Sequence, residues 1–142
     1  MIIFPAIDIM DRKSVRLVKG DPNQKTVYGD PLEKALAFKR AGAEYLHIVD
    51  LNAAFDSSSS INFDIIKEIK KTIDIKIQTG GGIRSLEDIS YRLETLGADR
   101  VILGTIAYTS PDILRDAVKR YGERIIVGMD AKDGHFQNIF LG

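Results

Sequence analysis

Short runs of apolar, mostly β-branched residues alternate along the chain with longer stretches whose apolar positions recur at helical spacing. The short runs predict five strands, at 2–7, 45–49, 75–78, 100–103 and 124–127. The longer stretches predict four helices, which begin after Asp30, Asn62, Ser85 and Ser110. A small extra strand is predicted at 15–18, in the connection after the first strand. Because strands that alternate with helices pair in parallel through right-handed crossovers, the pattern predicts an α/β fold.

Capping residues indicate where these helices begin and end. Asp30 and Pro31 are typical of an N-cap and a first helical turn, and Gly42 is typical of a helix end. The segment 85–88, Ser-Leu-Glu-Asp, predicts a capping box, and Gly97 predicts the end of that helix. The helix after Asn62 has weaker capping signals.

A repeated pattern favours a barrel over a doubly wound sheet. Residues 41–50 resemble residues 96–105, and both segments read as a helix end, a turn and a strand. The repeating unit is therefore a pair of βα modules, and repeated modules close naturally into a ring. We expect a (βα)₈ barrel, here incomplete, with about five strands and four helices, since a whole barrel needs roughly 250 residues.

Composition excludes several classes of protein. The 142 residues include 20 Lys and Arg and 20 Asp and Glu, so no net charge favours nucleic acid or an acidic membrane. The absence of cysteine excludes disulfides and thiolate metal sites. The first residues do not resemble a signal peptide, and no apolar stretch approaches the roughly 18 residues of a membrane span. We therefore expect a soluble cytoplasmic protein, with neither nucleic acid nor membrane as its partner.

Polar or glycine-rich segments follow each predicted strand, where parallel α/β proteins bind ligands. In chain order these segments are Asp8, Asp50, Gly80 to Arg84, Gly104-Thr105 and Asp130.

The third and fourth of these segments predict a phosphate site. Three successive glycines let the backbone approach a ligand, and the helix that follows directs free N–H groups at the same place. The candidate ligands are Gly81, Gly82, Arg84, Gly104 and Thr105. Arg16 and Lys19, in the connection after the first strand, are either further ligands for phosphate or carboxamide, or solvated residues of a hairpin. A tight turn without a ligand is the alternative for the glycines.

Asp8 and Asp130 are the candidate acid–base pair. Strands one and five lie on opposite sides of an eight-stranded ring, so the two carboxylates would face each other across its mouth. The alternative for each is a helix cap or a residue that orders a loop. Asp50 is expected to order the loop after it rather than to react, and His47 is expected to pack against a helix. His135 receives no role.

Seven segments together resemble the phosphoribosylformimino-aminoimidazole carboxamide ribotide isomerases of histidine biosynthesis, and they run almost continuously from Ile2 to Gly134. The segments are PAIDIMD, VRLVKGD, TVYGDP, LHIVDLNAA, QTGGGIRS, VILGT and IIVGMDAKDG. The cyclase subunit of imidazole glycerol phosphate synthase shares the aspartates and the glycines and is the alternative. That family tends to have a cysteine before its first aspartate, where this chain has Pro5-Ala6, and lacks TVYGDP.

The resemblance implies an Amadori rearrangement of an aminoaldose phosphate to an aminoketose phosphate, without metal or organic cofactor. It implies that Asp8 is the general base and Asp130 the general acid. The substrate would be a small molecule with two phosphates, one of them held by the glycines. The family usually has glycine after Asp11, where this chain has Arg12, so we expect an altered hairpin turn.

The resemblance fades after Gly134, so we expect two parts: the N-terminal part of a barrel at 1–134, and a divergent tail at 135–142. A truncated and poorly active enzyme is the first hypothesis. A half-barrel that pairs with another copy and a phosphate-binding module without catalysis are the others. We expect an uncovered inner face carrying Phe4, Ala6, Leu46 and Ile48, and self-association through that face and the open edge of the fifth strand.

Overall fold

The structure, a computed structural model, describes residues 1–132 and 135–137 and contains a seven-stranded sheet with helices packed against it. The strands are β1 (Ala6–Met10), β2 (Lys13–Val18), β3 (Asp21–Gly29), β4 (Tyr45–Asp50), β5 (Lys76–Gly80), β6 (Arg100–Leu103), β7 (Ile125–Val127), β8 (Asp130–Lys132) and β9 (His135–Gln137). The helices are α1 (Pro31–Arg40), α2 (Leu51–Phe55), α3 (Phe63–Thr72), α4 (Leu86–Ser90), α5 (Thr105–Thr109) and α6 (Pro111–Tyr121). A π-helical turn (Tyr91–Thr95) continues α4, and a 3₁₀ turn (Gly122–Arg124) follows α6.

The order of the strands identifies the architecture as a barrel type. The sheet runs β3-β2-β1-β4-β5-β6-β7, and the five strands from β1 to β7 that alternate with helices are parallel neighbours in chain order. A doubly wound sheet would reverse direction at a switch point, and this sheet does not. The predicted fold class, an incomplete (βα)₈ barrel, is confirmed. The predicted extra strand at 15–18 is part of β2, which forms a hairpin with β3.

Helix α1 begins as its capping residues predicted. The Asp30 carboxylate accepts the Leu32 N–H at 2.9 Å, and Pro31 opens the first turn. At α4 the predicted capping box is half formed. Ser85 Oγ accepts the Asp88 N–H at 3.1 Å, but the Asp88 carboxylate accepts the N–H of Arg84 instead of Ser85.

Two elements differ from the prediction because they depend on neighbouring strands. The first strand begins at Ala6 instead of residue 2, since its ladder with β4 starts where the Pro5 carbonyl accepts the His47 N–H at 2.9 Å. The described residues also contain six α-helices instead of the predicted four. The additional α2 and α5 have five residues each, which is too short to produce a helical period in the sequence.

The two faces of the sheet have different chemistry. Alternate strand residues face the helices and are almost fully buried; they include Ile7, Ile9, Leu46, Ile48, Ile77, Val101 and Leu103. The assignment of Leu46 and Ile48 to the uncovered face was therefore wrong. Ala6 pairs with His47, so the face away from the helices, called here the open face, carries Asp8 and His47 instead. The open face is more polar than expected.

The last described residues form a small separate hairpin. β8 and β9 pair antiparallel, with Asp130 opposite Gln137. This ladder joins the two sides of the predicted division at residue 134. Residues 133–134 and 138–142 lie outside the described residues, and the division into 1–134 and 135–142 stays a prediction.

Candidate functional site

Asp8 lies in the middle of β1, on the open face, between two valines of neighbouring strands. The register places Val15 of β2 and Val49 of β4 directly beside it. Both valines are buried, so they shield the carboxylate of Asp8 from water on two sides. The predicted base is thus held on a strand with an apolar surround, which is a favourable setting for a reactive carboxylate.

His47 belongs to the same open face, next to Asp8 along the diagonal of the β1–β4 ladder. The amide of Gln78 lies 3.0 Å from His47 Nδ1 and holds the ring in place. The expectation that His47 packs against a helix was wrong. Alternation along β4 separates His47 from Leu46 and Ile48, but alternation alone does not tell which set meets the helices.

Burial shifts the proton affinities of Asp8 and His47 in opposite directions. It raises the pKa of Asp8 above its usual value, and the neighbouring His47 opposes this shift. It lowers the pKa of His47, and Asp8 opposes that shift. In both cases the loss of solvation outweighs the attraction between the two groups. A carboxyl group with a raised pKa is better matched to removing a proton near neutral pH.

The glycine loop, defined as residues 80–82, lies at the carboxyl end of β5 and is buried. Gly81 and Gly82 have φ values of +105° and +71°, which side-chain-bearing residues rarely adopt. A Cβ atom on Gly81 would collide with the backbone of Asp50, and one on Gly82 with the backbone of Ala53. The glycines are therefore required for close packing against the start of α2, in addition to any role toward a ligand.

Gly104 and Thr105 follow β6, which lies beside β5 in the sheet. Both residues are half-buried, and Thr105 begins α5. Arg84, which follows the glycine loop, is exposed. The structure therefore places the glycine loop and the Gly104-Thr105 segment side by side at the carboxyl ends of β5 and β6, as predicted.

Asp50 has a structural role below the glycine loop. It is 1% exposed and lies on the face of β4 that meets the helices. Its Oδ1 accepts the Ala53 N–H at 3.1 Å, which caps α2, and an N–H of Asn62 at 2.8 Å. This geometry agrees with the expectation that Asp50 orders the loop after it.

Sequence reasoning missed the two asparagines that join the first hairpin to this network. Asn52 accepts the Asp11 N–H at 2.8 Å, and the fully buried Asn62 accepts the Arg12 N–H at 3.0 Å. Asp11 and Arg12 both have positive φ, at 49° and 67°, so the expected alteration is a two-residue turn with a non-glycine residue in the strained position. The Arg12 guanidinium binds both carboxylate oxygens of Asp64, at 2.8 and 2.9 Å.

Arg16 and Lys19 are exposed on the β2–β3 hairpin, and Lys19 lies in its turn with φ at 52°. Arg16 is adjacent to Val15, which shares the face of Asp8, so Arg16 points to the opposite face. The structure does not bring Arg16 together with Asp8.

Asp130 is exposed and begins β8, three residues beyond the end of β7. β7 is parallel to β1, so Asp130 lies beyond the carboxyl ends of the strands, as the glycine loop does. Three strands, β4 to β6, separate it from Asp8. Within residues 1–132 and 135–137, no cluster of three or more His, Asp or Glu side chains is arranged to hold a metal ion. No helix in the same ranges is long and apolar enough to cross a membrane.

Comparison with known proteins gives consistent relatives. A model of the family described as "Histidine biosynthesis protein" matches residues 2–141. A protein of Listeria monocytogenes serotype 4b (strain F2365) is 51% identical over 135 residues, covering 94% of this chain and 55% of its own length. One from Clostridium kluyveri (strain ATCC 8527) is 52% identical, with 94% and 56% covered. One from Clostridium novyi (strain NT) is 47% identical over 136 residues, with 95% and 56% covered.

All three relatives carry the name 1-(5-phosphoribosyl)-5-((5-phosphoribosylamino)methylideneamino) imidazole-4-carboxamide isomerase. The chain spans about half the length of the curated relatives it matches, since 55% of the Listeria protein and 56% of the two clostridial proteins are covered.

Proposed function

This chain belongs to the family of histidine biosynthesis proteins, and from that premise we propose that it supplies the N-terminal part of an aldose–ketose isomerase acting on an aminoaldose phosphate. The observation that carries the proposal is the Asp8 carboxylate, desolvated on the open face and raised in pKa. The names of the relatives support the choice of isomerisation over cyclisation.

The reaction moves protons without any change in overall composition. A proton delivered to the ribose ring oxygen opens the ring and leaves a protonated imine at C1. Removal of the C2 proton then gives an enolamine, which tautomerises to the ketone at C2 with a methylene group at C1. Asp8 would remove the C2 proton, and Asp130 would protonate the ring oxygen. The division of roles, with Asp8 as base and Asp130 as acid, follows the resemblance to the isomerase family, and the raised pKa of Asp8 suits a base that works near neutral pH.

The glycine loop is the proposed site for one phosphate of a substrate with two phosphates. Buried backbone N–H groups are normally paired, yet the Gly82 N–H has no acceptor among the described residues. A phosphate oxygen would satisfy it, with Thr105 and Arg84 at the same edge. Arg16 and Lys19 on the hairpin stay proposed contacts for a more distant part of the substrate.

Turnover by a completed barrel tests the enzymatic proposal. The chain would be fused to the C-terminal half of a relative about 50% identical, and the conversion of aminoaldose to aminoketose would be measured. Asp8→Asn and Asp130→Asn should each lower kcat by about 10²–10⁴, the usual loss of one acid–base group, with KM little changed. Asp74→Asn, at the other end of the sheet, is the matched control. Near-full activity of either variant would assign that aspartate a structural role.

Phosphate binding without turnover is a second candidate, because the glycine loop and the Gly104-Thr105 segment are both present in the described chain. A titration of the 142-residue chain with ribose 5-phosphate separates the candidates. Shifts of the Gly82 and Thr105 amide resonances are expected. Binding combined with an inactive completed barrel would favour this second role.

Self-association through the outer edge of β7 is also a proposal. Among the described residues no strand pairs with that edge, and unpaired N–H and C=O groups invite another chain. Sedimentation of the purified chain tests this, with a concentration-dependent shift to larger species expected. A monomer at all concentrations would exclude it.

A further inference from the structure

Arg92 is a buried arginine on the side of the helices, where nothing in the sequence marks it. It is 2% exposed and lies in the π-helical turn that continues α4. Such turns are rare and occur often at functional sites, because the extra residue redirects a side chain. A buried guanidinium is costly unless its neighbours compensate its charge, so its contacts indicate its purpose.

The guanidinium of Arg92 binds the underside of the glycine loop. Its Nη2 donates to the carbonyl oxygen of Gly81 at 2.9 Å, and the ring of Phe63 lies 4.6 Å from its Cζ. Burial lowers the pKa of Arg92, while the negative charges of Asp50 and Asp88 oppose that shift and favour the charged form. Arg92 Nη1 and Asp50 Oδ2 are buried without a hydrogen-bond partner among the described residues.

The bond to Gly81 determines the direction of the next N–H group. In a trans peptide the C=O and N–H bonds point in opposite directions. A carbonyl of Gly81 held toward Arg92 therefore turns the Gly82 N–H away from Arg92. Among the described residues no hydrogen bond is donated by that N–H. Glycine lacks a side chain to restrict this peptide, so an external contact is needed to hold its orientation.

We propose that Arg92 is a positioning residue for phosphate: it holds the Gly81–Gly82 peptide with the Gly82 N–H directed at the anion, and its charge lies behind the loop. The proposal rests on the phosphate site proposed above. It assigns to Arg92 an indirect role, since the carbonyl of Gly81 separates its side chain from the ligand. A guanidinium in a desolvated setting also attracts an anion more strongly than it would in water.

The test is the affinity of the full chain for inorganic phosphate and for ribose 5-phosphate, measured by titration of amide resonances. Arg92→Met keeps an unbranched apolar stem and removes the charge and the donor. It should weaken binding at least tenfold, about 1.4 kcal/mol. The Gly81 carbonyl carbon resonance should shift in the free variant, because its hydrogen bond is lost. Arg92→Lys keeps the charge and serves if Arg92→Met does not fold; an intermediate loss of affinity is expected.

Two controls separate positioning from general stability and from net charge. Leu93→Ala removes a buried neighbour in the same π-helical turn and should destabilise the fold without changing phosphate affinity. Arg120→Met removes an exposed positive charge from α6 and should also leave affinity unchanged.

The outcomes are distinct. Equal affinities of the parent and a folded Arg92 variant would overturn the role of Arg92 alone. Weakening by Leu93→Ala to the same extent would show that stability is the cause and would also overturn it. Failure of the parent chain to bind either phosphate compound would overturn the phosphate site and this inference with it.

Discussion

The two ends of the sheet hold their polar groups in different ways. At the carboxyl ends of the strands, Asp50, Asn62 and Arg92 are buried beneath the glycine loop and hydrogen-bond to backbone or to one another. At the amino ends, Asp99 pairs with Lys70 at 2.6 Å while both side chains stay about one-third exposed. Buried polar groups tolerate little change in geometry, whereas exposed ones can adjust with water. We therefore expect the carboxyl end, where the phosphate site is proposed, to be the more rigid one.

Glycine substitutions should show the largest contrast between the ends. Gly81 and Gly42 have similar φ values, +105° and +98°, but a Cβ on Gly42 would meet nothing within 4 Å. Gly42→Ala should cost only backbone strain, about 1–2 kcal/mol. Gly81→Ala adds a collision with the backbone of Asp50 and should cost more than about 3 kcal/mol, beyond the usual range for single mutations. Urea denaturation of both variants measures the difference.

Similar losses in the free energy of unfolding for Gly42→Ala and Gly81→Ala would mean that the backbone at Asp50 moves easily. The carboxyl end of the sheet would then not be the more rigid one. The same collision means that Gly81→Val is unsuitable as a probe of phosphate binding, because it disturbs the fold first.

Asp50→Ala should have the next largest effect. It removes the cap of α2, which costs about 0.5–2 kcal/mol, and leaves one side-chain N–H of buried Asn62 without its acceptor, which costs about 1–3 kcal/mol. We expect a total loss of about 2–4 kcal/mol in the free energy of unfolding. Asp74→Ala, an exposed aspartate at the amino end, should change it by less than about 0.5 kcal/mol. A small loss for Asp50→Ala would show that the network rearranges.

Asp8→Asn should stabilise the chain at neutral pH, in contrast to Asp50→Ala. A pKa raised by burial means that the ionised carboxylate is disfavoured in the folded state. The protonated Asp8 side chain therefore contributes stability below the pKa that Asp8 has in the unfolded chain. This contribution is lost as the pH rises through the pKa that Asp8 has in the folded chain. At pH 7 the variant should therefore melt at a higher temperature than the parent.

The gain from Asp8→Asn should vanish below about pH 4, where the parent carboxyl is also protonated. Thermal melting at a series of pH values provides the measurement. A lower melting temperature at pH 7 would mean that Asp8 stabilises the fold through its charge, and the assignment as a desolvated base would need revision.

Arg12→Gly should have the smallest effect, since two consequences oppose each other. Glycine relieves the positive φ of 67°, but the exposed bidentate pair with Asp64 is lost. Exposed pairs contribute about 0.2–1 kcal/mol, and relief of left-handed strain about 1–2 kcal/mol. We expect a change below about 1 kcal/mol in urea denaturation. Asp64→Ala removes only the ion pair and serves as the control. A larger loss in the free energy of unfolding for Arg12→Gly than for Asp64→Ala would mean that the other contacts of Arg12, with the residues just before α3, stabilise the fold.

Local patterns were sufficient for most of the fold. The five parallel strands, the capped starts of α1 and α4, and the gathering of glycines at one edge of the sheet were all predictable. They depend on periodicity and capping within a few residues, which the sequence shows directly. The short helices α2 and α5 were not predictable, because five residues carry no period and α2 depends on the carboxylate of Asp50.

By itself, the sequence determined the alternation of strands and helices, the barrel type of sheet and the family, since these follow from residue order and from motifs that run along the chain. Only the tertiary structure decided which face of β4 meets the helices, and with it the place of His47. It also decided that Arg92 turns inward to the Gly81 carbonyl. Alternation separates two faces without saying which one is covered, and an inward arginine becomes stable only when distant segments supply its partners.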